Sequence, residues 1–171
     1  AAECSPPTEN METRKIADGD IRVCHDIYNY YIENTTITFE EKALTEEEFC
    51  ERVSRIKKDY PYIVCVSDGR PIGYAYLDKY SERGAYRFTA DLSIYVDKDF
   101  RHAGVGTELY HGIERLAKEM GIKNIISVIT SENDASVAFH EELGFERVGS
   151  ISDVGFKFGK WLGVDFYRKK L

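Results

Sequence analysis

The feature that most constrains this chain is a stretch running from an alternating strand through a glycine loop into an amphipathic helix. In residues 89–96, Ala90, Leu92, Ile94 and Val96 share one face and Asp91, Ser93 and Tyr95 the other. One side of that strand therefore meets a core and the other a polar space. The helix is expected over residues 106–120, with Leu109, Ile113, Leu116, Ala117 and Met120 in register and Gly121 as its left-handed terminator. Between them lies Arg101-His102-Ala103-Gly104-Val105-Gly106-Thr107. Backbone N–H groups at a helix start attract anions, and glycines let a phosphate approach the main chain closely. Two nucleotide motifs fail here. A Walker loop needs Gly-Lys-Ser/Thr, whereas Thr107 and Glu108 follow Gly106. A dinucleotide fingerprint needs a third glycine where Leu109 stands and an acid about 20 residues on, where the chain has Asn124.

Around this unit the pattern is mixed. Residues 14–17 suit a short strand, and Asp18 or Asp20 suits the cap of a helix carrying Ile21, Cys24, Ile27, Tyr28 and Tyr31. Residues 34–39 (NTTITF) read as an ordered loop. Thr45 with Glu48 forms a capping box for a helix bearing Phe49, Val53 and Ile56, which ends before Pro61. Strands over 62–66 and 72–77 meet through Ser67-Asp68-Gly69-Arg70, a hairpin turn. Residues 125–129 are apolar on both faces, as in a strand covered by helices on both sides. A short helix over 133–143 ends at Gly144, and strands over 145–151 and 164–168 complete the chain. The expectation is an α/β fold, a mixed central β-sheet flanked by helices. Its domain is expected over 13–171, behind a flexible tail at 1–12.

Composition narrows the class of partner. The chain has 171 residues, 43% of them apolar and 13% aromatic, with a formal charge of −7. This excludes a disordered chain. Its acidic, mixed-sign balance disfavours nucleic acid and anionic membrane as partners. No run approaches the ~18 apolar residues of a membrane span, and the amino end lacks a basic, hydrophobic leader. A cytoplasmic protein is the expectation. Cys4, Cys24, Cys50 and Cys65 show no zinc-ligand spacing. We expect no metal, and reduced thiols with the last three packed as small apolar groups.

The Arg101-x-x-Gly104-x-Gly106 loop resembles the pyrophosphate loop of the GNAT superfamily of acyl-CoA-dependent N-acetyltransferases. Residues 133–145 (NDASVAFHEELGF) are similar to that superfamily's second cofactor segment. Residues 85–96 (AYRFTADLSIYV), 35–39 (TTITF) and 155–161 (GFKFGKW) resemble the phosphinothricin and methionine sulfone or sulfoximine N-acetyltransferases. The similarity runs in order from about Ile16 to the carboxyl end. It implies a single-domain GNAT fold, acetyl-CoA as cosubstrate and a small amino-acid-like amine as substrate. It also implies a homodimer, for which residues 156–166 offer an aromatic surface.

The chemistry assigns roles within that resemblance. Transfer from a thioester to an amine needs a neutral amine, a polarised carbonyl and a proton for the departing thiolate. Asp91 is the candidate base, on the polar face of its strand, although the family commonly has Glu there. His140, on an inward stripe with Ser136, Phe139 and Leu143, is the candidate proton donor or orienting group. The resemblance implies a strand that splays at Ile94, Tyr95 and Val96 and turns its backbone N–H groups to the thioester. It assigns Arg101, His102, Ala103, Gly104, Val105, Gly106 and Thr107 to the pyrophosphate, and Asn133 with Ser136 to the pantetheine side. Arg83 and Tyr86 would hold the substrate's anionic end, with Phe39, Ser93 and Tyr95 lining its pocket. Ser81 replaces a basic residue of some relatives, which bears against phosphinothricin itself. Two alternatives remain open: another amine (polyamine, peptide end or aminoglycoside), and a non-catalytic acyl-CoA sensor.

Overall fold

Turn chemistry sets the register from the start. The structure is a computed structural model that describes residues 10–171; Cys4 and the first nine residues of the expected tail lie outside it. Among the described residues are seven strands, hydrogen-bonded in the order β1-β2-β3-β4-β5-β7-β6. The mixed sheet arises because β4 and β5 are parallel while the β1–β2, β2–β3, β5–β7 and β7–β6 pairs are antiparallel. The chain forms two compact units, with β4 (Thr89–Val96) contributing to both.

The first unit holds β1 (Met11–Lys15), the start of α1 (Ile21–Asn34), α2 (Glu46–Lys57), β2 (Tyr62–Ser67), most of β3 (Arg70–Lys79) and α3 (Val105–Glu119). Asp68 and Gly69 take φ of 49° and 78°, the doubly left-handed turn that a two-residue hairpin requires, and Ser67 faces Arg70. Thr45 accepts from the Glu48 amide while the Glu48 carboxylate accepts from the Thr45 amide, the capping box expected for α2. Phe49, Val53 and Ile56 are buried, as the helical spacing requires. Tyr62 stacks on Tyr76 at 4.8 Å and on Tyr74 at 5.8 Å, one face of an aromatic core.

Three expectations for this unit are corrected. β1 begins at Met11 rather than residue 14. Asp20 does not cap α1 through its side chain. Its carboxylate accepts from Arg14 at 2.6 Å and from the Ala17 amide at 2.8 Å, closing a 3-10 turn (Asp18–Asp20) ahead of the helix. The guanidinium holds the Asp20 carboxyl below its usual range. Cys24 and Cys65 are buried free thiols, which burial pushes up to about 12 and about 11. Cys50 is only half-buried, because it sits next to the core-facing Phe49 rather than on that stripe.

The second unit holds β5 (Asn124–Thr130), α4 (Asp134–Glu142), β6 (Glu146–Lys157) and β7 (Lys160–Lys170), together with residues 29–43 and 79–92. Here β5 differs from expectation: Ile125, Ser127 and Ile129 are buried, but Val128 on the opposite face is 53% exposed. One face is therefore covered and the other open. The last hairpin is longer than the sequence pattern indicates, turning at Phe158 (φ 51°) and Gly159 (φ 75°) with Lys157 opposite Lys160. Register shifts between Arg147 and Gly149 and between Ile151 and Gly155 break the alternation of β6. No described helix is long and apolar enough to cross a membrane.

Candidate active site

The glycine loop is built from backbone conformation. Asp97, buried, accepts from the Asp99 amide at 3.0 Å and from Arg70 at 3.2 Å, while its own amide donates to the Ile72 carbonyl at 2.8 Å. The end of β4 is thereby anchored, and a 3-10 turn (Lys98–Phe100) leads into the loop. His102 and Gly104 both lie in the left-handed region, at φ 62° and 83°. Gly104 is the N-cap of α3 and, having no side chain, offers the first turn no capping acceptor. The amides of Val105, Gly106 and Thr107 precede the point where intrahelical acceptors begin, and Glu108 donates to the Gly104 carbonyl at 3.1 Å. Arg101 and His102 are exposed beside them, next to Lys98. The chemistry of this set fits a pyrophosphate: donors, a helix dipole, local positive charge and no competing carboxylate cap.

Gly73 on β3 brings α3 this close to the sheet. A Cβ there would stand 3.0 Å from Val105 Cγ1, 3.1 Å from the Tyr95 carbonyl and 3.2 Å from Leu109 Cδ1. This glycine was not singled out in the sequence; its signal is a lone glycine inside a strand pattern. On the same unit Tyr95 meets Tyr28 edge-on at 5.0 Å and Tyr74 at 5.5 Å, so its ring is held between two tyrosines. Ser93, Ile94 and Val96 are half-buried.

In the second unit, Asp91 lies half-buried in the parallel ladder, opposite Ile126; that ladder comprises Thr89–Asn124, Ala90–Ile125 and Asp91–Ile126. Asn133 is the N-cap of α4, its side-chain oxygen accepting from the Ser136 amide at 3.2 Å. His140 is buried, with Nδ1 2.7 Å from the Ser136 carbonyl oxygen. A carbonyl only accepts, so Nδ1 carries the proton and Nε2 the lone pair. Burial lowers the imidazole pKa and the Ser136 hydrogen bond partly offsets this. Phe145 and Phe139 enclose the ring at 5.0 and 5.4 Å. Burial thus favours the neutral imidazole, with its proton on Nδ1 and its lone pair on Nε2.

Phe39 is half-buried and packs over Gly155, where a Cβ would meet the ring at 2.5 Å. An open groove of about 450 Å³ is lined by residues that include Thr36, Ile37, Glu132, Asn133, Phe158 and Lys160. Arg83 and Tyr86 are exposed, with Tyr86 edge-on to Tyr80 at 5.5 Å. The structure thus brings Asn133, Ser136 and His140 together on α4 and leaves Arg83 in solvent. Sequence reading missed the Glu132–Lys160 pair and the buried Lys157, treated below.

The strand–loop–helix unit and the mixed sheet define an acetyltransferase, and the chain belongs to the acetyltransferase (GNAT) family, which matches residues 24–145. A phosphinothricin N-acetyltransferase of Streptomyces viridochromogenes is 32% identical over 96% of this chain and 90% of its own length. An L-methionine sulfoximine/L-methionine sulfone acetyltransferase of Pseudomonas aeruginosa is 34% identical over 85% of this chain and 86% of its own. Among solved structures, a GNAT superfamily phosphinothricin acetyltransferase from Sinorhizobium meliloti in complex with acetyl-CoA superposes with a TM-score of 0.91. It is 34% identical, and the match covers 94% of this chain and 88% of that one.

Proposed function

We propose that this acetyltransferase moves the acetyl group of acetyl-CoA to the α-amine of a small amino acid of the methionine sulfone, methionine sulfoximine or phosphinothricin type. The observation that carries the reading is the uncapped, left-handed entry to α3 at Gly104, flanked by Arg101 and His102, in a chain similar over most of its length to enzymes named for those substrates. Residues 101–107 hold the pyrophosphate, the backbone of Ile94, Tyr95 and Val96 the thioester, and Asn133 and Ser136 the pantetheine arm. Phe39, Ser93 and Tyr95 line the amine's pocket, and Arg83 with Tyr86 holds its anionic end.

The reaction runs by direct attack in a ternary complex. Asp91, directly or through water, takes a proton from the ammonium, since an α-amine is largely protonated at pH 7. The amine nitrogen then forms a bond to the thioester carbon, the C–S bond breaks, and the nitrogen's second proton is lost as the thiolate gains one. His140, neutral with Nε2 open, passes protons between these groups. No cysteine nucleophile enters this scheme, because the amine attacks the thioester directly; Cys24 and Cys65 are buried and their thiols held high.

Phe156, Phe158 and Trp161 are 53%, 59% and 64% exposed, a costly display for a lone chain. A second copy covers this face in the proposed homodimer. Trp161→Asp shifts the mass measured by light scattering from dimer to monomer; an unchanged mass counts against this surface. A cytoplasmic location, expected from the sequence, belongs to the same proposal.

A coenzyme A release assay over a panel of amines tests the reading. Methionine sulfone and methionine sulfoximine are expected to exceed spermidine, a peptide and an aminoglycoside in kcat/KM by at least about tenfold, and phosphinothricin, against which Ser81 bears, to trail them. Acetyl-CoA binding without thiol release on any amine would favour a sensor. A second reading, the amine of a protein end, is favoured by one structural relative. This ribosomal-protein-alanine N-acetyltransferase from Brucella melitensis has a TM-score of 0.91 and 30% identity. Faster turnover of an alanine-terminated peptide than of free amino acids would establish it.

A further inference from the structure

We propose that Lys157 is a positioning residue for the amine substrate, its buried ammonium clamping the segment 34–41 to the β6–β7 hairpin and so placing Phe39. Lys157 is 3% exposed, an unusual place for a lysine. Its Nζ donates to the Thr38 carbonyl at 2.8 Å, and the Phe158 ring lies 5.0 Å away. Thr38, one residue before Phe39, is itself buried. Burying an ammonium is costly unless strong partners compensate. Here burial lowers the amine's pKa while nearby Glu40 and Glu41, in the clamped segment itself, favour its charge.

Other ties converge on the same segment. Thr130 Oγ1 donates to the Thr36 carbonyl at 2.7 Å. The Thr36 hydroxyl donates to Glu132, and Lys160 holds both Glu132 oxygens, at 3.0 and 2.9 Å. Phe39 rests on Gly155, where only a glycine leaves room for the ring. Residues 35–41 contain no helix or strand of their own. A segment without a ladder keeps its place through such side-chain ties, and Lys157 supplies the buried, charge-assisted one. Lys157 therefore acts through Phe39 rather than on the reacting atoms.

The inference rests on the proposed reading, in which Phe39 walls the amine pocket. Its test has two arms on the full chain, with methionine sulfone as amine and acetyl-CoA as donor. In Lys157→Met, which keeps the apolar stem, hydrogen–deuterium exchange in peptides covering 34–44 is expected to rise about tenfold, with α3 peptides unchanged. KM for methionine sulfone is expected to rise about 10- to 100-fold while KM for acetyl-CoA stays within about twofold. Lys157→Arg, which retains a donor, recovers part of the loss. Should Lys157→Met not fold, Thr130→Val and Gly155→Ala loosen the same segment from either side, and the same pattern is expected of them. Unchanged exchange at 34–44, or equal rises in both KM values, overturns the clamp. If the wild-type chain turns over no amine, the proposed function falls, and the exchange arm alone still decides for or against the clamp.

Discussion

Gly73→Ala isolates what positions the pyrophosphate loop. The added methyl would meet Val105 Cγ1 at 3.0 Å, Tyr95 O at 3.1 Å and Leu109 Cδ1 at 3.2 Å. Val105 and Leu109 are held in α3 at 2% and 0% exposure, and the Tyr95 oxygen belongs to β4 backbone, so no contact is with a flexible tip. Overpacking of this kind costs about 1–3 kcal/mol. Replacing a strand glycine returns about 0.5–1 kcal/mol, leaving a net loss of about 1.2 kcal/mol at the midpoints of the two ranges. For a chain of this size that lowers Tm by about 2–5 °C. The relief available is for the first turn of α3 to move outward, which displaces the amides of Val105, Gly106 and Thr107. Titration calorimetry should then show coenzyme A binding weakened about tenfold, ~1.4 kcal/mol. A variant as stable as the wild type, or one that loses stability with coenzyme A affinity intact, would refute the claim that Gly73 sets this helix start.

Asp91→Asn keeps the shape of the strand residue and removes its basicity, so kcat is expected to fall about 100- to 10,000-fold with coenzyme A affinity retained. Turnover above half of wild type would exclude Asp91 as the base. His140 makes stability pH-dependent in a defined direction. Its folded pKa is lowered from 6.5, chiefly by burial. Between that lowered value and about 6.5 the unfolded chain binds more protons, so stability falls as the pH drops through this window and His140 has no effect above it. His140→Gln should flatten the change in urea midpoint between pH 7.5 and 5.5; an equal slope in both proteins would contradict the assignment.

How much of this was visible in the sequence depends on what each residue's type reports. Asp68-Gly69, the Thr45–Glu48 box, Gly121 and Gly144 are local signals: each answers to a backbone angle or a cap within four residues, and each is found as expected. The strand Thr89–Val96 and the loop after it were legible because one periodicity and one motif coincide. β6 was not. Its apolar residues Val148, Ile151, Val154 and Phe156 are about half exposed, and two register shifts take them out of alternation. Hydrophobic periodicity reports burial within one chain, so a strand whose apolar face is left open carries no such period. The fit between Gly155 and Phe39 and the reach of Lys157 to Thr38 join residues 116 and 119 positions apart. No spacing rule spans such a distance, and the side chain that would reveal the first pair is the one glycine lacks. The motif-bearing parts of the site were therefore readable, while the parts that hold a pocket wall in place emerge only from the packing. For the same reason His140, whose helical stripe announced an inward face, did not announce its charge. Only the Ser136 carbonyl at 2.7 Å places the proton on Nδ1 and leaves the lone pair on Nε2.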